Sequence, residues 1–190
     1  MEENGILYNV VKNAAGEAET GTEIAYALGD VSGTFTVKDG ITVLKASVFA
    51  GKANLKKVVL PESLLEIEDK AFMDCFNLEE VTFAKNCVLT DLGEAAFRNC
   101  VALKSIAIPS GVTKLNPYTF YNCRSLETAT LPNQLTHIGY KTYSATDDTE
   151  VVSTSGGYVF AHCESLSAIN IPETVKWIQP YSFLNCKSLK

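Results

Sequence analysis

The motif F-x-x-C-x-x-L recurs five times along this chain, and its spacing constrains the fold more than any other feature. A degenerate copy without the cysteine begins at Phe49, and the complete copies begin at Phe72, Phe97, Phe120, Phe160 and Phe183. Successive copies are 23, 25, 23, 40 and 23 residues apart. Self-similarity at a period of about 20–50 residues is the signature of a solenoid, in which one supersecondary unit stacks on the next. The sequence therefore predicts a repeat solenoid.

Each repeat also has a second half, in which a short alternating segment precedes two further apolar residues. In one repeat, residues 58–60 are followed by Pro61, Leu64 and Ile67. Alternation is typical of a strand with one buried face, and proline ends the strand because it cannot donate to the ladder. The spacing of Phe, Cys and Leu (i, i+3, i+6) predicts short helical turns between strands. We expect six strand-bearing units, whose outward central residues are Thr36, Val59, Thr82, Ala107, Thr130 and Asn170.

The first part of the chain does not follow the repeat. Residues 6–12 and 23–28 read as strands that cap the first repeat, because the end of a solenoid core otherwise meets water. We therefore divide the chain into an N-terminal cap over residues 1–33 and a solenoid over residues 34–190, with a period of about 23 residues.

Five of the six cysteines occupy one equivalent position of the repeat: Cys75, Cys100, Cys123, Cys163 and Cys186. Neighbouring repeats lie roughly 4.8 Å apart, so we predict a buried ladder of free thiols that behave as small apolar side chains. Asp or Asn precedes the cysteine in four copies and His162 in the fifth; such side chains favour hydrogen bonds to local backbone in turns. Cys87 stands outside the ladder, and we expect it to be an exposed thiol.

One interval exceeds the period of 23 residues by 17 (40 − 23 = 17). Tyr143 stands where the next phenylalanine is expected, and the segment 144–158 that follows is polar, β-favouring and Gly-rich at its end. We read it as a protruding loop or hairpin, and such excursions often carry function. The alternative is that the insertion has no function and the fold merely tolerates it. The candidate contact residues in and beside this insertion are Tyr140, Tyr143, Asp147, Asp148 and Tyr158.

Composition and motifs exclude several classes of function. The net charge of −6 argues against nucleic-acid binding, which depends on clustered Lys and Arg. No apolar run approaches the roughly 20 residues that span a bilayer, so we expect no membrane span. We find no nucleophile, phosphate-loop, metal-ligand or dinucleotide motif. The sequence therefore predicts a protein that is not an enzyme and has no cofactor or metal.

The repeat pattern L-x-x-V-x-L-P-x-x-L-x-x-I-x-x-x-A-F-x-x-C resembles the BspA-like class of leucine-rich repeats over about residues 34–190. One strand departs from it, because Ala84 replaces the proline after Val81-Thr82-Phe83. The resemblance implies a right-handed coil with one parallel sheet on its concave side and short helical turns on its convex side. It also implies a cell-surface or secreted location and adhesion to proteins.

The leading hypothesis is a non-catalytic module that binds a protein ligand through its sheet face and the 144–158 insertion. The six central strand residues are small and uncharged, which suits contact with protein, although the same residues also suit strands in general. A structural spacer of a larger surface protein is one alternative. End-to-end self-association is another alternative, because the given sequence stops inside its last repeat.

A second outward column alternates in charge along the repeats: Lys56, Glu79, Lys104, Glu127 and Ser167. If the strands stack in register, each lysine lies between glutamates. Exposed ion pairs contribute only about 0–1 kcal/mol each. We therefore expect this column to disfavour register slips more than it adds stability.

Overall fold

The structure of the chain, a computed structural model, describes residues 2–3, 5–12, 18–139 and 156–190. Its strands are, in chain order, β1 (Glu2–Glu3), β2 (Ile6–Lys12), β3 (Ala18–Ala27), β4 (Gly33–Thr36), β5 (Ile41–Leu44), β6 (Leu55–Leu60), β7 (Glu66–Ile67), β8 (Glu80–Phe83), β9 (Asp91–Leu92), β10 (Ser105–Ala107), β11 (Lys114–Leu115), β12 (Thr128–Thr130), β13 (His137–Ile138) and β14 (Trp177–Ile178). Strands that are equivalent in successive repeats stack on one another, which confirms the predicted parallel-sheet solenoid.

The first strand of each repeat enters a five-stranded parallel sheet of order β12-β10-β8-β6-β4. Its register places equivalent residues side by side, for example Val58 beside Val81 and Ile106 beside Ala129, and these inward residues are buried. The last unit joins only through an isolated bridge between Thr128 and Ala168. Asn170 therefore lies outside the described strands.

The second half of each repeat forms further short parallel strands. They belong to a six-stranded sheet of order β1-β2-β3-β5-β7-β9 and a three-stranded sheet of order β11-β13-β14. Strands β2 and β3 form an antiparallel pair in the part of the chain for which we predicted a cap, and β3 begins at Ala18, before the predicted residue 23. β3 then pairs in parallel with β5, and Ile6 and Ile24 are buried in the core.

A row of stacked phenylalanines runs along the core. Phe72 and Phe97 have ring centroids 5.2 Å apart with nearly parallel planes (1°), and Phe97 and Phe120 are 5.6 Å apart at the same angle. Stacked pairs continue to Phe49 at one end and to Phe160 and Phe183 at the other. Aromatic pairs of this kind contribute about 0.5–1.5 kcal/mol beyond the area that they bury.

The described residues contain no helix, so the short helical turns that we predicted are not found. The residues two before and two after each of the six motif phenylalanines have positive φ, as at Lys70 (60°) and Asp74 (61°) around Phe72. Left-handed residues interrupt a right-handed helix. The turns bond instead to the next repeat, since the amides of Phe72 and Asp74 donate to carbonyls of the following turn at 2.8 Å.

Candidate protein-binding surface

The five-stranded sheet brings five of the six predicted central strand residues together on its outer face. Thr36, Val59 and Thr82 are in register on adjacent strands, and Ala107 is in register with Thr130 on the next pair. Three of these side chains are exposed, and those of Val59 and Thr82 are half-buried. We call this surface the outer sheet face. The sixth residue, Asn170, is exposed but lies beyond the last described strand of the sheet.

Charge on the outer sheet face is concentrated in its central strands. Lys57 Nζ lies 2.7 Å from Glu80 Oε1, and this hydrogen bond lowers the pKa of Glu80. In the alternating column, Lys104 Nζ lies 3.8 Å from Glu79 Oε2. These side chains are well exposed, so each pair contributes only about 0–1 kcal/mol. Beyond them, strands β10 and β12 present small uncharged side chains to solvent.

The predicted contact residues Tyr140, Tyr143, Asp147 and Asp148 lie outside the described residues. Tyr158 is described, and it belongs to a regular turn. The amide of Tyr118 donates to the Gly157 carbonyl, and the amide of Gly157 to the Pro180 carbonyl, both at 2.9 Å. Residues 156–158 therefore continue the stacked turns.

The cysteine ladder is confirmed, and the structure shows why a thiol suits this position. The Sγ of each ladder cysteine donates to the carbonyl of the phenylalanine one repeat earlier. These distances are 3.0 Å for Cys75, 3.2 Å for Cys100 and Cys123, 3.3 Å for Cys163 and 3.1 Å for Cys186. Burial raises the pKa of the Cys75 thiol to about 12. A protonated, buried thiol is a poor nucleophile, so the ladder is structural.

The expectation that Cys87 is exposed is wrong. Cys87 is only 8% exposed, and its Sγ lies 3.9 Å from the Leu64 carbonyl. Burial raises the pKa of its thiol. The longer repeat folds this cysteine against the core, where it packs as a small apolar side chain.

The residues that precede the cysteines form a second ladder on the surface. Asn99 Nδ2 donates to Asp74 Oδ1 at 2.6 Å, and Asn122 Nδ2 donates to Asn99 Oδ1 at 2.9 Å. Asn185 Nδ2 lies 3.4 Å from His162 Nδ1 in the last two turns. These side chains bond across repeats, whereas we predicted bonds to local backbone. All five have φ between 58° and 63°, a conformation that Asn and Asp tolerate better than most residues.

Sequence reasoning missed an aromatic surface on the phenylalanine turns. Tyr158 stacks between Tyr118 (5.2 Å, 5°) and Tyr181 (5.1 Å, 18°), and Tyr121 meets Tyr118 edge to face at 5.7 Å. The Arg98 guanidinium carbon lies 5.7 Å from the centroid of Tyr118 and 5.2 Å from that of Tyr121. We call these five residues the tyrosine cluster. The recurrence of Tyr two residues before Phe120, Phe160 and Phe183 was the available signal.

A shallow acidic cavity of about 270 Å³ lies beside strands β7 and β9, with Glu66, Glu68, Asp69 and Asp91 in its wall. Burial, reinforced by the neighbouring Asp91, raises the pKa of Glu66. Lys45 pairs with Glu68 beside it. Within the described residues no group of three or more potential ligands is arranged to hold a metal ion.

Apolar side chains of the final described turn are more exposed to solvent than their equivalents in earlier turns. Ile178 is 43% exposed, whereas the equivalent Ile138 is fully buried. Trp177 and Tyr181 are also largely exposed. The last described turn thus presents an apolar surface at one end of the solenoid.

A stacked parallel-sheet coil with Phe, Cys and Asn ladders defines a repeat protein of the leucine-rich type. Residues 42–156 and 148–190 match the family described as the BspA type leucine-rich repeat region, in six copies. The chain therefore belongs to this family. No helix among the described residues is long and apolar enough to cross a membrane.

Solved structures share the fold at low sequence identity. A leucine-rich repeat protein of T. pallidum has a TM-score of 0.67 at 19% identity, over 100% of this chain and 90% of that one. A leucine-rich cell surface protein of Faecalibacterium prausnitzii gives 0.60 at 22%, over 100% and 53%. The pneumococcal vaccine antigen PcpA gives 0.69 at 16%, over 97% and 47%. The chain thus spans about half of the last two proteins. No curated protein matches it.

Proposed function

We propose that this chain is a non-catalytic protein-binding module of a cell-surface or secreted protein, of the adhesin type. It contacts its ligand through the outer sheet face and the segment that interrupts the repeat. Membership of the BspA type family supports a repeat module for interaction, and a structural relative is described as a cell surface protein.

The main support for this proposal is the exposure of the outer sheet face. Thr36, Ala107 and Thr130 are exposed on a parallel sheet whose opposite face is buried in the core. Small uncharged side chains carry little ordering entropy and leave the sheet open to close approach. Repeat proteins commonly bind through such extended faces. We infer that a partner protein lies across strands β4 to β12.

The first test measures binding of the intact chain to a panel of purified extracellular-matrix and serum proteins. Ala107→Arg combined with Thr130→Arg places two long cations on the outer sheet face, and should weaken binding at least tenfold. The matched control is Ala53→Arg with Thr113→Arg, which changes the same residue types at exposed positions away from this sheet. Equal affinity of the two variants would rule out the sheet as the contact.

A second variant tests the insertion separately. Residues 144–155 are replaced by a short turn, and residues 156–158 are kept because they belong to a described turn. Binding that is lost with this segment, while the circular dichroism spectrum is unchanged, assigns specificity to the insertion. Failure of both the intact chain and the variants to bind any panel member would favour the structural-spacer alternative.

Self-association is a second candidate, which the exposed apolar surface of the last turn favours. Two copies that meet at this end would cover Trp177 and Ile178 together. Sedimentation velocity at high protein concentration tests it. A dimer that Trp177→Ser with Ile178→Ser converts to a monomer supports the idea, and a sharp monomer for the unmodified chain contradicts it.

A further inference from the structure

Arg98 is an unusual side chain in this fold, because it is a cation held between aromatic rings on the surface of the turns. Its guanidinium lies within 6 Å of the centroids of Tyr118 and Tyr121 (5.7 and 5.2 Å), a range in which the face of a ring attracts a cation. Among the described residues, its buried Nε has no hydrogen-bond partner. A buried donor without a partner is costly, and because this Nε is shielded from solvent, a ligand would meet the terminal N–H groups of the guanidinium instead.

The rings around Arg98 fix its position. Tyr118 is stacked on Tyr158, and Tyr121 contacts Tyr118 and His162 edge to face at 5.7 and 5.3 Å. The guanidinium is thus preorganised by neighbours from two further turns. A preorganised guanidinium loses little freedom when it forms hydrogen bonds. Arg98 as a whole remains half-buried, so part of it is accessible to a ligand.

We propose that Arg98, with Tyr118 and Tyr121, is a receptor for a carboxylate side chain of an acidic peptide segment. Guanidinium N–H groups match the two oxygens of a carboxylate and form short, charge-assisted hydrogen bonds. The inference rests on the proposed function, and adds that the turn surface recognises an acidic part of a protein partner.

An acidic peptide fits this surface better than an acidic sugar. Recognition of a sugar usually needs an open aromatic face, whereas Tyr158 is covered on both faces by Tyr118 and Tyr181. Tyr118 is in turn covered by Arg98 on one side. Tyr181 forms the other end of this row, and it is 56% exposed. Next to Arg98, at the opposite end of the row from Tyr181, the cluster therefore presents the cation and not an open aromatic face.

Tyr118 lies near several charged and titratable groups. Burial raises the pKa of Tyr118, the adjacent Tyr158 and Glu94 add to the rise, and Arg98 opposes it. The whole chain carries a net charge of −6, so its overall field repels an acidic peptide. Binding of such a peptide would therefore report a local site.

The direct test uses fluorescence anisotropy with a labelled peptide of five Glu-Ser repeats and, as its neutral counterpart, five Gln-Ser repeats. We expect Arg98→Gln to weaken binding of the acidic peptide at least tenfold. Arg124→Gln is the matched control, because Arg124 is exposed and already donates to Asn122 at 2.8 Å; it should change affinity less than twofold. Equal losses in both variants, or equal binding of the neutral peptide, would overturn the proposal.

A second measurement does not depend on the substitution. The chain has two arginines, so its ¹⁵N spectrum contains two Nε–H signals, and Arg124→Gln assigns them. Addition of the acidic peptide should shift the Arg98 signal and leave that of Arg124 in place. Panel binding that Arg98→Gln leaves unchanged would refute this inference while the proposed function stands. A hyaluronan oligosaccharide that shifts the signal when the peptide does not would also refute it.

Discussion

The ladder of Asp74, Asn99 and Asn122 allows a sharp test of how the turns are held. Asn99 sits at its centre, donating to Asp74 at 2.6 Å and accepting from Asn122 at 2.9 Å. Its φ is 62°. Two physical effects therefore meet at this residue: two hydrogen bonds between side chains of neighbouring repeats, and a left-handed backbone that few residue types tolerate.

The two effects separate when Asn99 is replaced by glycine and by alanine. Either change removes both hydrogen bonds, at about 0.5–1.5 kcal/mol each, so we expect a loss of about 1–3 kcal/mol. Alanine at position 99 must also adopt the left-handed conformation, which lowers the stability of the variant by about 1–2 kcal/mol more, the cost for a residue with a Cβ atom. Greater freedom of glycine in the unfolded chain offsets part of this difference. Stability should thus fall in the order Asn, Gly, Ala, with the last two about 1 kcal/mol apart.

Urea unfolding followed by circular dichroism measures the order through the transition midpoints. Asn133→Ala is the control, because Asn133 is an exposed asparagine outside the left-handed positions; its midpoint should match that of the unmodified chain. An alanine variant at residue 99 as stable as the glycine variant would refute the role of backbone conformation. A glycine variant as stable as the unmodified chain would refute the role of the ladder.

Three further outcomes are expected. Ellman's reagent at pH 8 should react first with Cys186, which is half-buried, while Cys123 stays unreactive until urea unfolds the chain; equal rates would contradict a sealed ladder. Glu66→Gln should raise the urea midpoint at pH 7 and have no effect at pH 3. The raised pKa of Glu66 means that the folded protein favours the protonated carboxyl group. The stability that this protonated group contributes is therefore lost as pH rises through the folded pKa. A change in midpoint that does not depend on pH would contradict this. Glu79→Lys places like charge beside Lys104 and should lower the melting temperature slightly more than a charge change outside the sheet; equal shifts would remove the proposed role of the charged column.

Much of the fold follows from spacing alone. The positions of Phe72 and Cys75 relative to the strand predicted the stacking of repeats, because equivalent apolar residues must share one core. The cap over β2 and β3 followed from the need to cover the first turn. Membership of the leucine-rich repeat family agrees with both.

The conformation of the turns was not predicted, because an i, i+3, i+6 pattern does not distinguish a helix from a stacked turn. The available clue was Gly51, which occupies the position of Asp74 and also has positive φ (71°). A position shared by Gly, Asp and Asn indicates a left-handed residue. Cys87 was misjudged for another reason: it lies outside the repeat pattern, which cannot say whether an additional residue turns inward.

The candidate sites were predicted only in part. The outward residues of the sheet follow from strand alternation, so Thr36 and Thr130 were placed correctly on its face. The tyrosine cluster was missed because it joins residues of several turns, and Arg98 has no repeat equivalent of the same type. Such clusters arise from the stacking of turns, so a reading of single repeats does not find them.

We propose above that a partner protein lies on the outer sheet face. The most direct measurement is photo-cross-linking with benzoylphenylalanine introduced at position 107, on that face, and at position 53, on an exposed turn. Each protein is irradiated with the extracellular panel protein that binds most tightly. We expect a cross-linked product from position 107 and none from position 53. Cross-linking from position 53 alone would contradict it.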